Sequence, residues 1–206
     1  MTRRLLAAIV AVGVIGAAAV GWLLADRLTA DTGGGSSGEA LIGSEFALTD
    51  HRGKAVTDED FAGKWQLVFF GFTYCADVCP TTLSDVSTVL AELGDDAEQV
   101  TPLFISVDPE RDTPKVMAEY VANFDPRIVG LTGSPEQIKQ AAQAFRAYYA
   151  KVEQEGQADG YTMDHSAFLY LMSPEGEYAA HFSPSDEPAA IADEIRAYLE
   201  GEKTVA

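Results

Sequence analysis

The chain has 206 residues, 47% of them hydrophobic, enough for one domain of ordinary size with a sizeable core plus an appendage. Its 14 Lys and Arg stand against 32 Asp and Glu, a formal net charge of -18. Phosphate backbones repel such a surface, which argues against nucleic acid as a partner and leaves small cations, basic protein faces or plain solvation as the reasons for the charge.

The N-terminus reads as a membrane segment. Arg3 and Arg4 precede an uncharged apolar run over residues 5–25, which Asp26 and Arg27 end. A run of about 20 residues at ~1.5 Å rise each spans the ~30 Å hydrocarbon core, so a single transmembrane helix is expected. That length favours an uncleaved anchor over a signal peptide, for which Ala17-Ala18-Ala19 offers a cleavage site. The two arginines remain cytoplasmic by the positive-inside rule, and the rest of the chain is exported. The short stretch before the anchor, without a long Arg- and Ser-rich transit peptide, points to a bacterial inner membrane with the domain in the periplasm. Thr32-Gly33-Gly34-Gly35-Ser36-Ser37-Gly38 is a flexible linker. The expected divisions are 1–27 for tip and anchor, 28–43 for the linker and 44–206 for the folded domain.

Within that domain, Phe46-Ala47-Leu48 and Ala55-Val56 flank the turn residues Asp50-His51-Arg52-Gly53, an N-terminal β-hairpin. Residues 64–73 carry Trp65, Leu67, Val68, Phe69, Phe70 and Phe72, as a central strand covered on both faces does. From Pro80, Leu83, Val86, Leu90 and Leu93 fall three or four apart on one helix face, and Gly94 ends it. A second buried strand covers 103–107, a helix opens at Thr113-Pro114 and reaches about Phe124, and a short strand covers 127–131. Ser134 caps a longer helix whose stripe is Ile138, Ala141, Ala142, Phe145, Tyr148 and Tyr149. A strand over 167–172, the turn Pro174-Glu175-Gly176, its partner over 177–182 and a helix from about Asp186 complete the chain. Strands alternating with helices predict an α/β fold, a central mixed sheet between helices, without internal repeats.

Both cysteines, Cys75 and Cys79, stand where the central strand gives way to the helix that Pro80 opens. There the unpaired backbone N–H groups and the helix dipole favour thiolate, the form that attacks disulfides and binds metals. A reactive pair between a strand and the next helix is where the thioredoxin fold keeps its active site, although that motif has two intervening residues and this one three. The plain alternative, an inert disulfide, closes a very small loop and adds little stability by the chain-entropy account. His165 heads the predicted strand near the cysteines, whereas His51 falls in a turn and His181 in the outer hairpin. Two thiolates and an imidazole form a soft set of three, better suited to copper than to structural zinc, which takes four protein ligands. Asp77 and Asp164 add charge or orient the histidine, or are turn residues.

Gly71-Phe72-Thr73-Tyr74-Cys75-Ala76-Asp77-Val78-Cys79-Pro80-Thr81-Thr82, then Ser106-Val107-Asp108-Pro109-Glu110-Arg111-Asp112-Thr113-Pro114, then Asp164-His165-Ser166 closely resemble the signature segments of the Sco/SenC family. Its members are membrane-anchored, thioredoxin-like copper proteins that assist assembly of the dinuclear copper centre in cytochrome c oxidase subunit II. The likeness covers residues 44–199 and departs at Ala76, where the family commonly has proline; looser loop geometry is expected there rather than lost binding. The resemblance implies that reduced Cys75 and Cys79 bind copper, Cu(I) or Cu(II), with His165, and that the Asp108 loop faces the site and takes part in transfer. On physical grounds alone that loop is a strand-to-helix turn with Asp112 or Thr113 as cap.

The implied partners are subunit II, other periplasmic copper chaperones or thiol reductants, and the membrane. A thiol-disulfide oxidoreductase is the rival reading, since it needs Cys75 and Cys79 as a redox-active pair but not His165. A thiol peroxidase, for which no separate resolving cysteine is evident, and a redox or copper sensor are weaker readings.

Overall fold

The computed structural model describes residues 42–154 and 160–205. The expected anchor, and the expected linker up to residue 41, lie outside the described residues, and among those described no helix is long and apolar enough to cross a membrane. The first strand, β1 (Ala47–Asp50), pairs antiparallel with β2 (Ala55–Thr57), forming the expected hairpin. The Asp50 carboxylate closes its turn by accepting from the Arg52 and Lys54 N–H groups at 2.9 and 2.8 Å, and Gly53 supplies a φ of 84°. His51 is only half-exposed, because its Nδ1 accepts from the Gly130 N–H at 3.1 Å.

The central strand is β3 (Trp65–Gly71), buried at every position after the first. It pairs in parallel with β4 (Val100–Ser106), from Trp65↔Val100 to Gly71↔Ser106, and α1 (Val78–Leu93) is the crossover between them. After β4 come α2 (Pro114–Val121), β5 (Val129–Thr132) and α3 (Pro135–Ala144). A separate hairpin of β6 (Tyr149–Glu153) and β7 (Tyr161–His165) precedes β8 (Leu169–Met172), β9 (Tyr178–Phe182) and α4 (Pro188–Leu199). The main sheet runs β2-β1-β5-β4-β3-β8-β9, parallel in its centre and antiparallel outside, so it is mixed as expected and flanked by helices. Phe69, Phe70, Phe104 and Phe145 are among the largest fully buried side chains of the described residues. Burial of such side chains contributes about 1.5–3 kcal/mol each.

Helix starts follow their local signals. Pro114, Pro135 and Pro188 each open a helix, where the missing N–H costs nothing, and the Thr113 and Ser134 hydroxyls cap two of them. The expected helix stripe runs too far: α3 ends at Ala144, Arg146 takes a left-handed φ of 53°, Tyr148 is exposed and Tyr149 opens β6. Phe145, Tyr148 and Tyr149 kept the helical spacing across a chain reversal. The β6–β7 hairpin lies outside the expected elements, because β6 buries none of its five residues and so carries no apolar pattern. His165 therefore ends a strand of the small sheet rather than heading one of the large. The strand expected over 103–107 begins three residues earlier, through Pro102, which pairs with Leu67 although proline carries no ladder donor.

One buried carboxylate ties the loop after β4 to the loop after β3. Asp112 accepts from the Thr73 hydroxyl at 2.5 Å, the Ser106 hydroxyl at 2.6 Å and the Thr73 N–H at 3.1 Å. It is not the cap of α2; Thr113 takes that role. Burial raises the Asp112 pKa above the ordinary carboxylate value, against the pull of the hydrogen bonds from Ser106 and Thr73. Asp112→Ala is expected to cost about 2–4 kcal/mol in urea unfolding, since it strands buried donors. The native state binds this proton more tightly than the unfolded chain, so its contribution to stability falls as pH rises from the unfolded pKa toward the raised one. The deficit of Asp112→Asn relative to the native chain is therefore expected to shrink over that window.

Candidate metal centre

The site forms at the carboxyl ends of β3 and β4, the usual place for ligands in sheets with parallel strands. Helix α1 starts at Val78, two residues before the expected Pro80, so Cys79 lies inside its first turn and Cys75 in the loop ahead of it. Asp77 occupies the N-cap position, but its carboxylate makes no capping hydrogen bond. The free N–H of Cys79 instead donates to the Cys75 sulfur at 3.3 Å. A thiolate thus satisfies one of the N–H donors that the helix start leaves open.

Cys79 is fully buried and Cys75 partly exposed, and both are free thiols. The buried sulfur fits because the opposing residue at the end of β3 is Gly71. A Cβ there would lie 2.9 Å from the Cys79 Sγ, 2.8 Å from a Phe104 ring carbon and 3.0 Å from one of Phe69. Of the two sulfurs, Cys75 is biased toward thiolate and Cys79 toward thiol. The Cys75 pKa lies well below the ordinary thiol value because the Cys79 thiol donates to it, with further help from the backbone N–H groups of Cys79 and Asp77, against the cost of burial. Cys79 is pushed upward by that same hydrogen bond and by burial.

His165 arrives from the end of β7. Its Nδ1 lies 3.0 Å from the Ser166 carbonyl, which only a protonated Nδ1 satisfies, so the lone pair of the neutral ring is on Nε2. That Nε2 faces the Cys79 Sγ at 3.5 Å. Ser166 is itself held by the Tyr148 backbone, its N–H donating at 2.9 Å and its hydroxyl accepting at 3.0 Å. Phe69 and Phe72 meet the imidazole edge-on at 5.9 and 5.8 Å. The ring is thereby fixed in position and tautomer.

The Cys75, Cys79 and His165 ligand atoms all lie within 4.8 Å of one another. Three ligands at about 2.0–2.3 Å from one metal ion stand about 4 Å apart, so a slight contraction would complete a three-coordinate site. Among the described residues no fourth His, Cys, Asp or Glu joins the cluster. A shallow cavity of about 330 Å³ opens over Cys75 and His165, and Asp77 and Asp164 line it with Tyr74 and Met163. Asp108 does not line it. It is buried behind the site, paired with Arg111 and accepting from the Tyr161 hydroxyl at 2.9 Å. Sequence reasoning passed over Gly71, Ser166 and Tyr161, none of which carries a chemical signal beyond its place in a motif.

A mixed sheet of this kind with an open cluster of two cysteines and one histidine defines a thioredoxin-like protein with a thiol-based metal site. The SCO1/SenC family model matches residues 34–200, and the chain belongs to that family. It is 42% identical over 164 residues to the human mitochondrial SCO1 homolog, covering 79% of this chain and 54% of that one. It spans about half the length of the curated relatives it matches first, 50–58%. Among solved structures it is similar to Bradyrhizobium japonicum ScoI with copper bound, at 46% identity and a TM-score of 0.70 over 77% of this chain and 99% of that one. Arabidopsis thaliana ScoI with copper bound is 39% identical, with a TM-score of 0.73 over 78% of this chain and 99% of that one.

Two outcomes test this geometry. Iodoacetamide is expected to label Cys75 in the reduced protein at a rate nearly constant from about pH 5.5 to 8, and to leave Cys79 unlabelled until the chain unfolds; a rate rising tenfold per pH unit would mark an ordinary thiol. Gly71→Ala is expected to lose about 1–3 kcal/mol in denaturant melts through overpacking and to admit the label to Cys79.

Proposed function

We propose that residues 44–206 form the copper-carrying domain of a membrane-tethered chaperone, with residues 1–27 as its anchor and 28–43 as its tether. The observation that carries this reading is the convergence of Cys75, Cys79 and His165, three soft ligand atoms within 4.8 Å of one another. The copper-bound structures of similar ScoI proteins support copper as the cargo. The domain faces the periplasm from a bacterial inner membrane, and the acceptor is the dinuclear copper centre of cytochrome c oxidase subunit II. Other periplasmic copper chaperones or thiol reductants supply metal or electrons.

Transfer follows from the unequal exposure of the ligands. Cys75 and His165 border the open cavity while Cys79 is buried, so an acceptor's thiol and imidazole reach copper at the Cys75 and His165 side and displace Cys79 last. Asp77 and Asp164 add negative charge beside a cation, and Asp108 acts from behind through Tyr161.

The same asymmetry favours a second reading. An exposed, thiolate-prone Cys75 beside a buried, protonated Cys79 is the arrangement of a thiol-disulfide oxidoreductase, in which Cys75 attacks a partner disulfide and Cys79 resolves the mixed disulfide. The partner gains two thiols as this pair becomes a disulfide, and copper binding is lost with it.

Copper stoichiometry of residues 40–206 after reduction separates the two. One copper per native chain is expected, none held specifically by Cys75→Ser, and an altered spectrum with affinity lowered at least about tenfold in His165→Ala. No specific copper in the native chain, with an intact redox-active pair, would leave the oxidoreductase.

A further inference from the structure

Arg111 follows Asp108 in the loop after β4, and its side chain is only 9% exposed. Its Nε pairs with the Asp108 carboxylate and its Nη1 donates to the Tyr161 carbonyl at 3.3 Å. The guanidinium carbon lies 3.8 Å from the Tyr161 ring centroid, 4.7 Å from that of Tyr74 and 5.9 Å from that of Phe72. The Tyr161 hydroxyl returns to Asp108 at 2.9 Å, and Lys151, paired with Glu110, lies 3.8 Å from the ring centroid. Among the described residues the Arg111 Nη2 is buried without a partner. A buried, incompletely bonded cation is a poor source of stability compared with an apolar side chain of the same volume. Its value has to lie in what it holds.

Tyr74 immediately precedes Cys75. Tyr161 opens β7 and shares a strand face with Met163 and His165, since side chains alternate. The guanidinium therefore contacts both arms of the metal site, the loop with the sulfur and the strand with the imidazole. Asp112, the next residue, grips Thr73 in the same loop. We propose that Arg111 is a positioning residue whose guanidinium, in contact with both Tyr74 and Tyr161, sets the separation of Cys75 from His165 and so admits the imidazole to the same metal ion as the two sulfurs. Lysine cannot replace it, because the role needs a planar group that stacks on rings while donating along two fixed directions. This inference rests on the three-ligand reading above and extends it to the group that spaces the ligands.

The test compares native protein, His165→Ala, Arg111→Lys, Tyr74→Phe and Tyr74→Leu, all reduced, with and without one equivalent of copper. Arg111→Lys keeps the charge opposite Asp108; Tyr74 is 50% exposed, so its substitution does not threaten the core. The expected result is that Arg111→Lys shifts the copper absorption spectrum toward that of His165→Ala and speeds copper release to a chelator about tenfold. In the metal-free protein it moves the His165 ring resonances. Tyr74→Leu does the same more weakly, and Tyr74→Phe, which retains the ring, restores the native signals. A folded Arg111→Lys with native spectrum, release rate and ring resonances overturns the proposal. If Arg111→Lys does not fold, the Tyr74 pair decides: a change in Leu but not in Phe supports the proposal, and native signals in both overturn it. Failure of the native chain to bind copper would remove the chaperone reading, while the metal-free resonances would still judge Arg111 as the spacer of the two arms.

Discussion

The constraint on which the site depends is the closeness of the Cys79 sulfur to the end of the central strand. Any side chain at residue 71 would meet Cys79, Phe104 and Phe69 at 3.0 Å or less, so glycine there lets the first turn of α1 seat its sulfur against the core. With Cys79 buried, Cys75 is left as the exposed sulfur and the one biased toward thiolate. Strand, helix start and thiol asymmetry are one packing arrangement seen at three scales.

A polar brace lies behind this arrangement, buried among Ser106, Asp108 and Asp112. Within the loop from Ser106 to Thr113, Asp112 turns inward to Thr73, while Asp108 and Arg111 reach Tyr161 on the strand that carries His165. Buried polar groups are costly unless fully bonded, yet they impose geometry more strictly than hydrophobic contacts do. An exchange site needs that strictness, because its ligands stay close enough to share a metal ion while one flank remains open. The backbone carbonyl of Ser166 does the same for the imidazole, selecting Nε2 as the ligand atom.

Local rules were sufficient where elements are held by local forces. Thr113-Pro114 and the Ser134 cap marked the starts of α2 and α3, and the apolar run through Phe69 and Phe70 marked the central strand. The rules failed where tertiary contacts overrode spacing. Tyr148 and Tyr149 continued the helical period past a left-handed Arg146, and β6 buries none of its residues, so no apolar pattern marks it as a strand. The cysteine pair and His165 stood out as residue types with few innocent uses, whereas Gly71, Ser166 and Arg111 serve the site through backbone and stacking geometry that has no signature in composition.

The family, the mixed α/β fold and the three soft side chains available to a metal are legible in the chain alone, because they follow from motif, periodicity and chemical type. Which sulfur is exposed, which ring nitrogen faces the buried one and which residues space the two arms emerge only in the folded chain. Those properties arise from contacts between segments as distant as Cys79 and His165, and no local pattern encodes the distance between side chains that meet only when the sheet has closed.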